Sequence, residues 1–227
     1  MRRVVVPELL DTDAGTPDEV AGSIRDLRMF NSVFGGVHTM SRLMRRVAQR
    51  KHLQELSFVD VAGSEGYVAA RSQNVLSRSG ITLRPVILDR APTHMSHEHP
   101  GVCGDALALP FRDHSFDAVG CSLFLHHLEP DQIVSFARES LRVARHAFLI
   151  HDLERHPLHL ALSYLGMPLY RSRVTRHDAP VSVRRAYTVN EIKSILEKVS
   201  QPADIEIKTF FLFRIGVIVW KQPNMTL

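Results

Sequence analysis

Three carboxylates in this chain stand at the ends of apolar runs, at intervals that would gather them along one edge of a sheet. Asp60 lies within Phe58-Val-Asp-Val-Ala-Gly-Ser-Glu-Gly66, where small residues after a strand-like run let the backbone turn sharply and approach a ligand. Alone that loop is a weak signal, because tight strand-to-helix turns need small residues for steric reasons. Asp89 ends the next apolar run, where a carboxylate can accept both hydroxyl hydrogens of a ribose. Asp105, within Gly104-Asp-Ala106, is placed to accept from the exocyclic amino group of adenine. The run Phe116-Asp-Ala-Val-Gly-Cys121 leads into Ser122-Leu-Phe-Leu-His-His-Leu128 at the lip of the same edge. Four run ends in succession thus carry groups suited to a nucleoside.

The elements that would position these groups follow from periodicity. Thr16-Pro-Asp-Glu19 reads as a capped helix start, and Val20, Ile24, Leu27 and Phe30 continue it at helical spacing. After Gly35-Gly36, Val37, Met40, Leu43, Met44 and Val47 mark a second helix. From residue 56 strands alternate with helices: LSFVDV, a helix from about Glu65 to Leu76, RPVILD, VCGDA, FDAVGCSLF, a helix from Pro130 to Val143, and AFLIHD. Thr188-Val-Asn-Glu191 opens a further capped helix, and ADIEIKTFF with FRIGVIVW reads as a closing strand pair. Such alternation implies right-handed crossovers. The expected fold is α/β: a doubly wound, mostly parallel seven-stranded sheet with helices on both faces, two extra N-terminal helices and an insertion after the fifth strand. One domain is expected over 1–227, made of N-terminal helices (1–54), a core (55–152), a lid-like insertion (153–187) and a C-terminal helix with a strand pair (188–227).

With 44% hydrophobic and 23% charged residues among 227, the chain has the composition of a folded protein with a sizeable core. The opening MRRVVVPELLDTDAG is too short and too soon interrupted for a secretory signal or a membrane span, so a cytoplasmic location is expected. Two cysteines, Cys103 and Cys121, sit in apolar runs and indicate neither a disulfide framework nor a cysteine zinc site. The net charge of +4 concentrates in arginine clusters at 42–50 and 171–185, which are read as solvated faces ahead of phosphate-binding ones.

Taken in order, DVAGSEG, LDR, GDA, LPF, SFD and HHL resemble the motif series of the class I, Rossmann-like methyltransferases that use S-adenosyl-L-methionine, in their small-molecule branch. The resemblance covers about the middle third of the chain. It implies that Asp60 with Ala62, Gly63 and Gly66 holds the methionine part, Asp89 with Arg90 the ribose, and Asp105 with Ala106 the adenine. Ser122 and Phe124 would line the wall near the sulfonium. The C-terminal RRAYTVNEIKSIL and FRIGVIVW resemble members acting on aromatic and polyketide oxygens, so the implied acceptor is a small molecule of that kind. Two positions depart from the family's glycine pattern, Ala62 and Ser64, and an added Cβ there costs clearance beside the cofactor. A degenerate scaffold that binds or regulates is therefore a second reading.

Methyl transfer from a sulfonium is an in-line displacement, leaving the protein to align the acceptor and remove its proton. The imidazoles considered for that role are His126, His127 and His151, with His151, beside Asp152, and His127 the catalytic candidates. The cluster His94-Met-Ser-His97-Glu-His99 invites a metal reading, but it falls in a short connection with no assured further ligand, and no metal is expected. An RNA methyltransferase is a third reading, opposed by SLFL where an Asn-Pro-Pro-Tyr-type element would stand. The expected partners are a small-molecule acceptor and, where it oligomerises, a second copy, with no membrane and nucleic acid disfavoured.

Overall fold

A computed structural model describes residues 1–12, 14–95, 99–201 and 204–222. Helix α1 (Pro17–Val33) begins at a reciprocal cap: Thr16 Oγ1 accepts from the Glu19 N–H while the Glu19 carboxylate accepts from the Thr16 N–H. Gly35, at φ +86°, separates it from α2 (Gly36–Lys51), whose inner stripe is Met40, Leu43, Met44 and Val47. Strands β1 (Glu55–Val61), β2 (Thr82–Asp89), β3 (Gly101–Cys103), β4 (Phe116–Ser122) and β5 (Ala144–Leu153) run parallel. Helices α3 (Tyr67–Ser77) and α4 (Pro130–Val143) make crossovers between them. After α7 (Val189–Leu196), strands β6 (Ile205–Phe210) and β7 (Arg214–Trp220) join antiparallel to each other, and β7 antiparallel to β5. The sheet is seven-stranded and mostly parallel, as the alternation predicts; its order is β3-β2-β1-β4-β5-β7-β6, and the chain reverses direction across the sheet between β1 and β4. Open α/β sheets take ligands at that switch point, beyond the strands' carboxyl ends.

Because successive strand residues face opposite ways, each strand feeds two cores. Val59, Val61, Val119, Cys121, Phe148 and Ile150 pack with Ile133, Phe136 and Leu141 of α4 and Ile192 and Leu196 of α7. Leu56, Phe58, Ala118, Ala147 and Leu149 pack on the other face with Met40, Met44 and Val47 of α2 and Leu76 of α3. Gly120 keeps the centre tight, since a Cβ there would lie 2.9 Å from both the Leu149 carbonyl and the Phe58 ring.

The insertion after β5 consists of α5 (Pro157–Leu165), a 3-10 turn at Met167–Leu169 and α6 (Arg173–Arg185). It is tied to α1 through Asp26, which accepts from the Arg171 and Ser172 N–H groups. The first twelve residues lie along α6 as a strap. The Leu9 and Leu10 N–H groups donate to the two oxygens of Asp178, and the Val4 N–H donates to the Arg184 carbonyl. No helix among the described residues is long and apolar enough to cross a membrane.

Candidate active site

The turn after β1 is built on backbone conformations that L-residues seldom adopt. Ala62 (φ +56°), Ser64 (φ +50°) and Gly66 (φ +74°) are all left-handed, which explains why glycine is the pattern at the first two positions and why their Cβ atoms are strained here. Gly63 is required for another reason: a Cβ would meet the Asp60 carbonyl at 2.9 Å and the Asp60 Cγ and Ile87 Cγ2 at 3.0 Å. The turn is pinned to β2, with the Gly63 N–H donating to the Leu88 carbonyl at 3.3 Å and the Ser64 N–H to Asp89 Oδ2 at 2.9 Å. Ser64 Oγ donates to the His94 carbonyl.

The three acidic residues stand in register order at the carboxyl ends of adjacent strands. Asp60 on β1 is sealed, and its Oδ1 has no hydrogen-bond partner. Burial, and then the neighbouring charge of Asp89, push its carboxyl up to about 7. Asp89 accepts from the Ser64 and Ala91 N–H groups, one on each oxygen, keeping further lone pairs for hydroxyl donors. Asp105 accepts from the Leu107 N–H and is exposed, with Ala106 buried behind it. Arg90 is exposed after Asp89, and its carbonyl accepts from Cys103. Ser122, at the end of β4, has a buried Oγ that also lacks a partner. Strand parity puts Asp60, Ser122 and His151 on one face, and Ser122 is paired in register with His151.

His151 is fully buried with both ring nitrogens unpartnered. Burial, with the Arg214 guanidinium adding to it, pulls the ring down to about 3, so it is neutral at pH 7. Its sequence neighbour Asp152 faces the opposite side of β5 and serves a different imidazole: His126 Nδ1 lies 2.6 Å from Asp152 Oδ1. Burial opposes the charged form of His126, but Asp152 and then Glu8 outweigh it and hold the ring up at about 10. His127 follows in the same 3-10 turn, Leu125–His127, with its ring stacked near Phe124 at 6.2 Å between centroids and its Nδ1 2.9 Å from Asp11 Oδ1. Burial would raise Asp11, yet His127 and Arg185 draw it down to about 2.

Residues 59–147 match the model of a family described as a methyltransferase domain. The carboxylate-bearing strand ends fall inside that match. Over those residues the chain is similar to methyltransferase domains, and its sheet order is that of the class I, Rossmann-like fold. The plantazolicin methyltransferase BpumL, solved with SAH, is similar in fold at a TM-score of 0.67 and 12% identity, covering 95% of each chain. A putative S-adenosyl-L-methionine-dependent methyltransferase from Methanococcus maripaludis gives 0.56 and 12%, covering 89% of this chain and 94% of that one. A SAM-dependent methyltransferase from Aquifex aeolicus gives 0.50 and 15%, covering 78% and 89%. No curated protein matches.

The strap lies outside the matched residues, and no sequence motif announces its contacts. Glu8 is buried against His126 and His127, and Arg185 donates to Asp11 and to the His127 carbonyl, closing the first residues over the end of β4. The only hint in the sequence is that Glu8 and Asp11 follow the apolar run Val4–Pro7, and neither has a periodic relation to residue 126. Of the cluster at 94–99, His97 lies outside the described residues, His94 closes a 3-10 turn at Pro92–His94, and His99 lies beside Gly66.

Proposed function

We propose that this chain transfers a methyl group from S-adenosyl-L-methionine to an oxygen of a small, aromatic or polyketide-like acceptor. The observation that carries the reading is the set of polar groups at the switch point. Asp60 Oδ1 and Ser122 Oγ are buried without partners, and Asp89 and Asp105 follow on the neighbouring strand ends. A buried, orphaned carboxyl is costly unless a ligand completes it, and an amino acid's ammonium is the natural complement to Asp60. Asp89 is suited to ribose hydroxyls and Asp105 to an adenine amino group, while Ala62, Gly63, Gly66 and Ala106 keep the lining small. Arg90 borders the ribose end, and Phe124 offers an apolar wall beside Ser122.

When bound, S-adenosyl-L-methionine supplies a methyl group already activated on sulfur, so the protein's share is alignment, exclusion of water and removal of the acceptor's proton. His127 is the candidate for the last role, being the partly exposed imidazole, with Asp11 fixing Nδ1 and leaving Nε2 to accept. His151, neutral and sealed beside Ser122, would act by shaping the wall. The insertion α5–α6 serves as the lid in this reading. Its Leu160 and Val183 form a small apolar cluster with Leu123 and Leu153 next to the end of β4. The similarity to an enzyme crystallised with a pentazolic desmethylPZN analogue and SAH supports an extended heteroaromatic acceptor as an alternative to a phenol.

Calorimetric titration with S-adenosyl-L-methionine and S-adenosylhomocysteine tests this directly. Binding that is lost in Asp89→Ala and Asp105→Ala supports the enzyme. A second reading, a scaffold that binds no cofactor, is favoured by the strained Ala62 and Ser64; it requires no heat in the wild type and recovery of binding in Ser64→Gly.

A further inference from the structure

We infer that Glu8, His126 and His127 form a binding site for a divalent transition-metal ion of the zinc class, one that joins the N-terminal strap to the end of β4. Among the described residues these three offer ligand atoms that all lie within 4.8 Å of one another. His126 Nε2 is 3.5 Å from Glu8 Oε1 and His127 Nε2 is 3.9 Å from Glu8 Oε2. Ligand atoms around a tetrahedral zinc stand ~3.3–3.5 Å apart, given bonds of ~2.0–2.1 Å, so the two glutamate–imidazole distances already lie near that span, and the whole set, within 4.8 Å, closes onto an ion by side-chain adjustment.

The outer contacts are those a metal-binding histidine requires. Each imidazole gives its Nδ1 to a carboxylate, His126 to Asp152 at 2.6 Å and His127 to Asp11 at 2.9 Å, which orients both Nε2 atoms towards Glu8. Glu8 is 7% exposed, and its Oε1 has no hydrogen-bond partner of proper geometry. The Glu8 backbone is set by the next two N–H groups, both held by Asp178. The charges also close: Glu8, Asp11 and Asp152 would be balanced by a divalent ion and the Arg185 guanidinium. That guanidinium lies 3.2 Å from Asp11 Oδ2 and 3.5 Å from His127 Nδ1, on the side of the ring away from the ligand atom. Three protein ligands leave a fourth position for water or substrate. The ion and proton acceptance by His127 claim the same Nε2, so the role given to His127 above belongs to the metal-free protein.

The test is metal binding by the full chain, prepared without a polyhistidine tag and stripped with chelator. Zn2+ is titrated in competition with a chromophoric chelator, and Co2+ is followed by its visible spectrum. We expect one ion per chain, an intense Co2+ spectrum of low coordination number, and at least tenfold weaker binding in Glu8→Gln and His127→Asn. Asp11→Asn, which keeps every ligand, should weaken binding tenfold or more, whereas His52→Asn, at the exposed end of α2, should leave it unchanged. No uptake by the wild type, or a weak octahedral Co2+ spectrum, overturns the proposal even if the variants do not fold. Equal affinity in wild type, Glu8→Gln and His127→Asn overturns it as well. The readout is independent of cofactor binding, so it stands or falls apart from the methyl-transfer reading.

Discussion

At the scale of single residues, the site stores unfavourable arrangements that a ligand would relieve. Asp60 is the clearest, because its carboxyl is raised to about 7 by burial and by Asp89. A cationic amino acid moiety would bind the ionised form, so the affinity for S-adenosylhomocysteine should weaken by about tenfold per pH unit below 7 and level off above about 8. Calorimetry at several pH values checks this, and a flat profile would remove Asp60 from the amine contact. The same shift has an opposite effect on the free protein. Its folded-state value lies above the unfolded one, so the contribution of Asp60 to stability is complete below about 4 and is lost as the pH rises through 7. Ala62, at φ +56°, is a separate case. Ala62→Gly should gain about 0.5–1 kcal/mol, since relief of left-handed strain exceeds the added freedom of the unfolded chain. That corresponds to a rise of about 1–4 °C in Tm, read in a thermal melt with or without cofactor.

At the scale of elements, the sheet and its helices are held by local devices whose removal has a defined cost. Thr188 caps α7 with its side-chain oxygen on the Glu191 N–H, while Glu191 returns a contact to the Thr188 N–H and pairs with Arg155. Thr188→Ala should lower stability by about 1 kcal/mol, seen as a lower denaturant midpoint at unchanged slope. Gly120→Ala acts in the middle of the sheet, where the new Cβ meets the Leu149 carbonyl and the Phe58 ring at 2.9 Å. A cost of about 1–3 kcal/mol is expected by the same measurement. Both elements are legible in the sequence, the first from Thr-x-x-Glu and the second from the apolar run Phe116–Phe124 between helical stretches. The insertion was legible only as an interruption of the alternation, and its attachment to α1 through Asp26 had no local signal.

At the scale of the whole molecule, the basic clusters are spent in part on internal pairing. Arg46 and Arg50 meet Glu206, Arg173 meets Glu19 and Arg185 meets Asp11. Phosphate binding would have to break these contacts or rely on what charge remains. Filter binding with structured RNA should accordingly show no salt-dependent complex even at about 50 mM salt, where phosphate contacts are strongest. A complex that weakens steeply with salt would reopen the RNA reading. The strap adds a second molecular feature, joining the first twelve residues to α6 and to the end of β4.

Sequence alone determined what is local along the chain: the alternation that makes a doubly wound sheet, the capped helix starts, and the acidic residues that end successive strands. Those follow because helix and strand periods, caps and small-residue turns are set by neighbours within a few positions. Tertiary structure alone decided which of two adjacent residues faces which core, so that Asp152 serves His126 and leaves His151 unpartnered. It also brought Glu8 and Asp11 onto His126 and His127 across more than a hundred residues of chain. Such meetings depend on how the strap returns over the sheet, and the cost of closing so long a loop is met by the packing of the entire fold, which no short stretch of sequence records.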